Sequence, residues 1–546
     1  MWYFRALAFD LDGTLASVDR VPGEVLTELD AVREERALIL VTGRRNDELD
    51  EAFPGLAAHF DAVVTENGSV LRTAVGDRLI DRPVDPDLDK ALADRGVQVQ
   101  RGRVLLALDG SDAATAVEVI AGLGLDHQVV HNRGSAMVLP AGATKGRGLL
   151  YALDQLGLSP HNTIAVGDAE NDFSLLQAAE VGVAVANAVP SLADRADLVL
   201  DHPDGAGVLE LVRGPLLAGH SRLCPDRHWV TVGQFDDGEP ARLPGSQYSV
   251  LVSGETGAGK SYLAGLLAEQ WIEAGYSVVV VDPEGDHTGL AERPGVHLVD
   301  ASVHLPSASD VMAVIRPSRA SLVLDLSGLD PETKIRYQER MPEVISAERA
   351  RHGFPHWVIY EEAHQPDWND THPAAATVAE PGTCVVTWRP EALPPELRRN
   401  ISLTLTLTGR PLGPRGRLRA TLQEAGSPAR AFELDQRRST HVRHRHKYAA
   451  MPLPPSRRFY FHGEEGAGAA SLEEFSLRLR HCDLAALEYH LARSDFSRWV
   501  LDTLADQELG RELADIEHDA SANRAAALER ARHRSLEAIQ RRYLAG

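Results

Sequence analysis

The sequence predicts an α/β protein of several domains, because strand-like apolar runs repeatedly end in short polar or glycine-rich loops. At 546 residues the chain exceeds what one hydrophobic core usually holds. The apolar runs alternate with helical segments, an order that favours parallel sheets. Residues 457–546 are expected to be helical, because the segments 472–479, 484–492 and 497–513 show helical apolar spacing, whereas 525–544 is charged, arginine-rich and at most amphipathic. We therefore expect two α/β domains followed by a helical C-terminal region.

Composition and charge narrow the class of protein. Hydrophobic residues make up 44% of the chain, which is ordinary for globular proteins, and the formal net charge is −23. That charge argues against nonspecific nucleic-acid binding by the whole surface, although a local basic patch is compatible with it. Three widely separated cysteines give no metal spacing and no disulfide framework. With no signal peptide expected and no apolar run of transmembrane length, we expect a cytoplasmic protein without a membrane partner.

The first strand-like run, ALAFDLDGTL over residues 6–15, ends in two aspartates one residue apart. Asp10 and Asp12 point the same way if the chain there is extended. Two carboxylates this close repel each other unless a cation or a shared proton compensates. The pattern favours Mg²⁺-assisted phosphoryl transfer, with one aspartate as nucleophile and the other as acid and base. For the two aspartates alone, a surface turn after a buried strand is the alternative.

Three further motifs follow in the same order that a known family uses. They are LILVTGR over residues 38–44, GATKG over 142–146 and GDAEND over 167–172. With the first run, they resemble the signature of the haloacid dehalogenase (HAD) superfamily of phosphatases, over about residues 1–212. The resemblance implies a Rossmann-like core over residues 1–213 with a small cap domain inserted into it.

The resemblance also implies a role for each motif residue. Asp10 is the nucleophile that forms an aspartyl-phosphate, and Asp12 protonates the leaving group and then activates water. Thr42 and Lys145 hold the transferring phosphoryl oxygens, where developing charge needs donors and a cation. The implied Mg²⁺ ligands are Asp10, Asp12, Asp168 and Asp172. The implied substrate contacts are Thr42, Gly43, Arg44, Asn67, Lys145 and Asn171, with a plain Asn-Gly turn as the alternative for Asn67.

Residues 82–140 predict the order helix, two strands, helix, two strands, which resembles the small type of cap. Caps exclude water and shape the pocket for the leaving group. A cap this short favours a small phosphomonoester, such as a sugar phosphate or phosphoglycolate. Candidates for contact with a second anion on the substrate, or alternatively solvated loop charges, are Arg101, Arg103, His131 and Arg133. Residues 214–227 are expected to form a linker.

A second module, over residues 228–435, contains a nucleotide-binding motif. A strand-like run over 248–253 precedes GETGAGKS, and an apolar helical segment follows it, which is the context that a P-loop requires. Lys260 would reach the β- and γ-phosphate oxygens of ATP, and Ser261 would ligate Mg²⁺. A chance glycine-rich loop is the alternative. The predicted ATP contacts in this loop are Gly254, Glu255, Thr256, Gly257, Ala258, Gly259, Lys260 and Ser261.

Other strand ends in this module resemble HerA/FtsK-type ATPases. The runs are VVVVD over 278–282, WVIYEE over 357–362 and TCVVTWRP over 383–390. The resemblance implies that Glu361 is the metal-linked acid at the ATP and that Glu362 activates water. A solvated helix start is the alternative for both. Glu361 stands where the family usually has aspartate, and Trp388 where a sensor glutamine is usual, so ATP binding is better supported than ATP turnover.

Residues 436–456 form a basic and proline-rich linker, with arginine, lysine and histidine concentrated over 437–447. Its candidate partners are nucleic acid, a neighbouring subunit's nucleotide and an acidic face of the same protein.

We predict a Mg²⁺-dependent hydrolase of a small phosphomonoester whose ATP-binding module regulates it or assembles it into a homo-oligomeric ring. The alternatives are a HerA-like DNA translocase with an accessory phosphatase, and a regulatory assembly that binds ATP without turnover. Nucleic acid is the less favoured partner.

Overall fold

The structure, a computed structural model, describes the chain except for residues 1–2, 74–75, 133, 256, 367, 369–377, 379, 410–416, 442–452, 464–467, 505, 521–524 and 545–546. The chain divides into two compact units. The first comprises Met1–Val230, Leu243–Tyr248 and Ile345–His356, and the second Thr231–Arg242, Ser249–Val344 and Trp357–Gly546. Among the helices of the described ranges, none is both long and apolar enough to cross a membrane.

The first unit contains two sheets. In chain order the strands are β1 (Ala6–Phe9), β2 (Ala37–Val41), β3 (Ala62–Thr65), β4 (Val70–Thr73), β5 (Gly76–Leu79), β6 (Gln100–Arg101), β7 (Leu106–Asp109), β8 (His127–Asn132), β9 (Ser135–Pro140), β10 (Thr163–Gly167), β11 (Val181–Ala184) and β12 (Leu198–Val199). The eight-stranded sheet has the order β12-β11-β10-β1-β2-β3-β4-β5. Its first six strands are parallel and the last two antiparallel.

The register of β1 brings the predicted motifs to one edge of this sheet. Phe9 pairs with Leu40 of β2 on one side and with Val166 of β10 on the other. Because parallel strands end at the same edge, the residues that follow these three strands emerge side by side. They are Asp10, Thr42 and Asp168.

Helices cover both faces of this sheet. The helices of the first unit are α1 (Gly23–Arg33), α2 (Asn46–Ala52), α3 (Pro86–Ala93), α4 (Ala113–Leu123), α5 (Lys145–Gln155), α6 (Phe173–Ala178), α7 (Pro190–Ala193) and α8 (Asp204–Arg213), of which α3 and α4 belong to the cap. Leu7 and Phe9 of β1 face the side covered by α1 and α8, whereas Ala6 and Ala8 face α5 and α6. This alternation follows from the two-residue period of a strand and buries both faces of β1.

The four-stranded sheet, in the order β6-β7-β9-β8, forms the cap together with α3 and α4. All of its pairings are antiparallel. A cluster of buried residues from α3, α4 and this sheet gives the cap its own core. The predicted helix–strand–strand–helix–strand–strand order is confirmed.

The second unit has an eleven-stranded sheet. Its strands are β13 (Val230–Phe235), β14 (Pro240–Leu243), β15 (Ser249–Gly254), β16 (Val278–Asp282), β17 (Val296–Asp300), β18 (Ser321–Asp325), β19 (Trp357–Tyr360), β20 (Thr383–Thr387), β21 (Leu403–Gly409), β22 (Arg419–Glu424) and β23 (Arg430–Leu434). Their order is β14-β13-β23-β22-β21-β15-β20-β19-β16-β18-β17. The part from β21 to β17 is parallel, and β22 and β23 extend it in antiparallel fashion. The helices include α9 (Lys260–Glu273), α10 (Ala308–Ser318) and α11 (Pro331–His352).

The C-terminal region is helical, as predicted, and packs around aromatic side chains. Its helices are Leu472–His481, Leu484–Leu491, Asp495–Trp499, Val500–Leu504, Gln507–Asp519, Ala525–Ile539 and Gln540–Leu544. Phe459, Phe475 and Trp499 are in mutual ring contact within its core. The segment 497–513, predicted from its helical spacing, is divided among the helices Asp495–Trp499, Val500–Leu504 and Gln507–Asp519. The Asp506 carboxylate accepts the backbone N–H groups of Glu508 and Leu509, which starts a new helix there.

Candidate active site

Four charged side chains converge at the carboxyl edge of the first sheet, and all are almost completely buried. Asp10 is 4% exposed, Lys145 1%, and Asp168 and Asp172 0%. The Lys145 ammonium donates to Asp10 Oδ1 at 2.5 Å and to Asp172 Oδ1 at 2.6 Å. Lys145 is the first residue of α5, and the Thr144 hydroxyl caps that helix by accepting the Arg147 N–H. The lysine therefore enters the site from a defined helix start.

The lysine and the carboxylates stabilise one another's charged forms. Burial disfavours the Lys145 ammonium, but the carboxylates of Asp10 and Asp172 outweigh this and raise the pKa of the lysine. Burial and the Asp172 carboxylate raise the pKa of Asp10, and the Lys145 ammonium opposes that change. One ammonium facing three carboxylates leaves negative charge uncompensated, so the site favours a further cation.

The residues present fit a divalent cation of the Mg²⁺ type. Carboxylate oxygens of Asp10, Asp168 and Asp172 lie within 4.8 Å of one another, and hard oxygen ligands are what Mg²⁺ prefers. The two oxygens of Asp172 already accept hydrogen bonds, Oδ1 from Lys145 and Oδ2 from the backbone N–H groups of Asp168 and Ala169. These hydrogen bonds let Asp172 position the loop and the lysine.

Asp12, the second aspartate of the first motif, is paired differently. Its carboxylate accepts two hydrogen bonds from Arg44, Nε to Oδ2 at 2.8 Å and Nη2 to Oδ1 at 2.7 Å. Arg44 also contacts Asp19. At this edge of the sheet, the described carboxylates that lie close enough to share a metal ion are those of Asp10, Asp168 and Asp172, so Asp12 stays a predicted ligand only.

The predicted substrate contacts lie beside this group. Thr42 and Asn67 are 0% and 2% exposed, and the Asn67 N–H donates to the Thr42 carbonyl oxygen at 3.0 Å. The Asn171 side-chain amide donates to Asn67 Oδ1 at 3.1 Å, so these two predicted contacts are neighbours. Gly68 has a φ of +102°, and a Cβ there would collide with the Thr144 carbonyl group. Glycine thus lets the Asn67 loop approach the start of α5 closely.

Sequence reasoning missed Glu66, which joins the core to the cap. This buried carboxylate accepts three consecutive backbone N–H groups of the cap, from Arg103 at 2.8 Å, Val104 at 2.7 Å and Leu105 at 3.0 Å. Its φ of +52° is uncommon for a residue with a Cβ and marks a conformation that the surroundings enforce. The polar run Thr65-Glu66-Asn67 after a buried strand was the available signal, but the partners lie about forty residues onward.

Replacing Glu66 with glutamine should loosen the cap. In the variant, the side-chain NH₂ would face a backbone N–H that donates to a carboxylate oxygen in the wild type. A buried donor would then be left unsatisfied, at a cost of about 1–3 kcal/mol. We expect a lower thermal midpoint and a raised KM for the phosphorylated substrate. The control is Glu118→Gln, an exposed cap carboxylate that pairs with Arg95. Equal effects of the two variants would contradict the role given to Glu66.

Two of the cap arginines proposed as second-anion contacts are held by protein groups. Arg101 pairs with Asp89 and donates to the carbonyl oxygens of Val84 and Asp85. Arg103 Nη1 lies 3.1 Å from Asp77 Oδ2. His131 is exposed, and Arg133 lies outside the described residues. Arg101 therefore stabilises the cap through these contacts.

In the second unit, the predicted P-loop joins β15, the sixth strand in the order of the eleven-stranded sheet, to α9. Gly257 and Gly259 adopt φ values of +84° and +102°, which only glycine adopts readily. Lys260 is the first residue of α9, and its ammonium donates to the Glu255 carbonyl oxygen at 3.2 Å. Ser261 follows it in the first turn. Thr256 lies outside the described residues, so the loop is described on either side of it.

The two glutamates after β19 have different surroundings. Glu361 is 3% exposed, and its Oε1 lies 2.7 Å from His287 Nε2. Burial lowers the pKa of His287, so a neutral imidazole donating to the carboxylate is the form expected. Glu362 has a φ of +51°, and its Oε2 lies 3.5 Å from His364 Nε2. Burial also raises the pKa of Asp282, at the end of β16, to about 7.

Trp388, in the place of the usual sensor glutamine, belongs to a cluster with His364. Its indole N–H donates to His364 Nε2 at 2.9 Å, and the Arg389 guanidinium lies 4.1 Å from the centre of a Trp388 ring. Thr387 Oγ1 lies 3.2 Å from His364 Nδ1. His364 Nε2 accepts the Trp388 indole N–H, so that nitrogen carries no proton to donate to Glu362, the predicted water-activating residue.

The described part of the basic stretch is neutralised within its own unit. Arg437 is buried with its Nε 3.2 Å from Glu269 Oε1, and Arg438 pairs with Glu273. Of the three predicted partners, an acidic face of the same protein is the one found for these two arginines. Residues 442–447 of the stretch lie outside the described residues.

The parallel core with its aspartate-rich carboxyl edge and inserted α/β cap defines a haloacid dehalogenase-like hydrolase. A family model described as "haloacid dehalogenase-like hydrolase" matches residues 119–212, and one described as "Helicase HerA, central domain" matches residues 242–349. The chain belongs to the haloacid dehalogenase-like hydrolase family through its N-terminal part, and it carries a HerA-type domain after that part.

Two phosphoglycolate phosphatases, each matched over nearly its whole length, support this assignment. The chain is 32% identical over 216 residues to phosphoglycolate phosphatase 2 of Saccharolobus solfataricus, covering 38% of this chain and 90% of that protein. It is 36% identical over 230 residues to a phosphoglycolate phosphatase of Halorubrum lacusprofundi, covering 38% of this chain and 96% of that protein. A solved haloacid dehalogenase-like hydrolase from Bacteroides thetaiotaomicron is 19% identical, with a TM-score of 0.33, covering 38% of this chain and 98% of that one.

Proposed function

We propose that the first unit is a Mg²⁺-dependent phosphomonoester hydrolase that acts through an aspartyl-phosphate. The observation that carries this proposal is the buried group of the Asp10, Asp168 and Asp172 carboxylates, of which Asp10 and Asp172 accept hydrogen bonds from the Lys145 ammonium. Asp10 and Asp168 would hold Mg²⁺, which neutralises phosphoryl charge when bound. Lys145 orients the nucleophilic carboxylate and stabilises charge on the transferring group.

The reaction has two steps on this chain's own residues. An Asp10 carboxylate oxygen forms a bond to phosphorus while the ester oxygen leaves and takes a proton from Asp12. Water then attacks the phosphorus of the aspartyl-phosphate, giving its proton to Asp12 and releasing phosphate and the Asp10 carboxylate. Arg44, which pairs with Asp12 in the structure, shifts toward the anionic substrate and so releases Asp12 to carry the proton.

The proposed substrate is a small phosphorylated acid or sugar, with phosphoglycolate first. The short cap supports this, as do the names of the relatives. The experiment is phosphate release from 2-phosphoglycolate, sugar phosphates and nucleotides, with Mg²⁺ and after its removal by a chelator. We expect the highest kcat/KM for 2-phosphoglycolate and loss of activity without Mg²⁺. Cleavage of ATP alone would contradict the proposal.

We further propose that the second unit binds and hydrolyses ATP and thereby regulates or oligomerises the phosphatase. The glycine conformations and the position of Lys260 at the start of α9 support ATP binding. In this proposal Glu362, two residues after the end of β19, activates the attacking water.

Replacing Lys260 with alanine should weaken ATP binding by about tenfold or more, because a charged hydrogen bond contributes about 1.5–3 kcal/mol. Phosphate release from 2-phosphoglycolate without ATP should stay unchanged. Equilibrium binding of a fluorescent ATP analogue measures the affinity for nucleotide. Phosphate release from 2-phosphoglycolate and from ATP measures the two activities. Lys90→Ala, at an exposed cap lysine, is the control and should change neither. Unaltered nucleotide affinity in Lys260→Ala would refute the assigned ATP site.

A HerA-like translocase with an accessory phosphatase is the second candidate, and the match to the HerA central domain favours it. Its test is DNA-stimulated ATP hydrolysis and salt-sensitive DNA binding by the full chain. The pairing of Arg437 and Arg438 with glutamates removes two cations from such a surface. For this reason the regulatory proposal comes first.

A further inference from the structure

A second cluster of potential metal ligands lies within the first unit, apart from the phosphatase site. It consists of His161, Glu180 and His228, whose ligand atoms lie within 4.8 Å of one another. His161 belongs to the turn Pro160–Asn162 before β10, and Glu180 directly precedes β11. Both therefore stand at the amino ends of strands, whereas the phosphatase residues follow the carboxyl ends. His228 comes from the segment after the phosphatase core.

Both imidazoles approach one carboxylate oxygen. His161 Nδ1 lies 2.8 Å from Glu180 Oε2, and His228 Nε2 lies 3.6 Å from the same oxygen. Ligand atoms on one tetrahedral Zn²⁺ ion lie about 3.3–3.5 Å apart, because each bond is about 2.0–2.2 Å long. The second distance lies close to this range, and the first needs to open by about 0.5–0.7 Å.

Neighbouring groups hold these ligands in place. Ser246 Oγ donates to Glu180 Oε1, the oxygen that does not face the imidazoles. The Glu180 N–H donates to the Pro160 carbonyl oxygen at 2.9 Å, which ties the loops of Glu180 and His161 together. The Arg227 guanidinium donates to the carbonyl oxygens of Ala179 and Glu180 at 2.8 and 3.1 Å. Such outer contacts orient the ligands of metal sites.

We infer that His161, Glu180 and His228 form a binding site for a divalent transition-metal ion, with Zn²⁺ as the expected occupant. Two imidazole nitrogens and one carboxylate oxygen are ligands that Zn²⁺ takes, with the remaining position open to water. The Glu180 side chain is fully buried, and those of His161 and His228 are 13% and 16% exposed, so the site is sheltered. An ion there fastens the segment carrying His228 to the phosphatase core. Its role is structural.

The alternative is a hydrogen-bonded His–Glu pair with a second histidine beside it. The experiment titrates the full chain with Co²⁺ as a spectroscopic probe and with Zn²⁺, in excess Mg²⁺ to fill the all-oxygen site. His161→Gln and His228→Gln each remove one ligand. His202→Gln is the matched control, because His202 also lies 2.8 Å from a glutamate, Glu210, but at an exposed position.

We expect one equivalent of Co²⁺ with the strong visible absorption of a four-coordinate site in the wild type and in His202→Gln. Each ligand variant should weaken binding by at least about tenfold, since even outer-contact losses cost that much. Zn²⁺ should raise the thermal midpoint of the wild type and not that of the ligand variants. If wild-type protein with Co²⁺ shows only the weak spectrum typical of oxygen ligands, the inference is overturned. This outcome does not depend on whether the variants fold. Equal Co²⁺ affinity in all four proteins would overturn it as well.

Discussion

The Asp10→Asn variant is expected to lose phosphatase activity by about a thousandfold or more, the largest functional effect of any single change in the chain. The amide is nearly the same size as the carboxylate, but it cannot form the bond to phosphorus. The substitution also removes one of the two carboxylates that hold the Lys145 ammonium. Steady-state phosphate release with 2-phosphoglycolate and Mg²⁺ measures the loss.

A matched control is Asp19→Asn, which changes an exposed aspartate of the same loop that contacts Arg44. It should lower activity far less than Asp10→Asn. Mass spectrometry after acid quenching should find a phosphoryl group on the wild-type chain and none on Asp10→Asn. Substantial turnover in Asp10→Asn would mean that another group attacks phosphorus. It would contradict the proposed role of Asp10 as the nucleophile.

The Lys145→Met variant is expected to lose about 3–5 kcal/mol of folding free energy as well as activity, because it leaves buried carboxylates without their cation. Asp10 and Asp172 would then face each other with no ammonium between them. Mg²⁺ should recover part of the lost stability, since a second cation compensates the same charges. Thermal and urea unfolding with and without Mg²⁺ measure both effects.

The control for this experiment is Lys90→Met, at an exposed lysine of the cap. It should unfold like the wild type in either buffer. If Lys145→Met were as stable as Lys90→Met without Mg²⁺, the buried ion pairs would not be stabilising the site. Stability that does not respond to Mg²⁺ in Lys145→Met would argue against a metal near these carboxylates.

The motifs predicted the fold class well, and they placed Asp10 and Asp168 at one edge of the first sheet, because each motif encodes a strand end and the polar residues that follow it. A buried run before Asp10 and another before Asp168 are enough to place both residues at one edge of a parallel sheet. The same holds for the P-loop, where a strand, a glycine-rich turn and a helix are consecutive in the chain. The antiparallel extension by β22 and β23 carried no comparable motif and was missed.

Contacts between distant segments were not predictable. The three cap N–H groups on Glu66 and the bidentate pairing of Arg44 with Asp12 depend on how loops meet in space. Likewise, Arg437 looks like part of an exposed basic patch until Glu269 is placed beside it. The sequence gives the sign of the charge on a segment. Whether that charge is neutralised depends on which residues the tertiary structure places beside it.

The central position of β1 has a consequence for how the chain is made. Its partner β2 is synthesised soon after it, but β10 begins 157 residues after the start of β1. Until β10 is made, β1 has one unpaired edge. Unpaired edges of apolar strands promote wrong pairing with other chains. Slow closure of such long-range contacts extends that interval. A nascent or truncated chain that stops before Thr163 should therefore aggregate and depend on chaperones, and it should not act as a weak phosphatase.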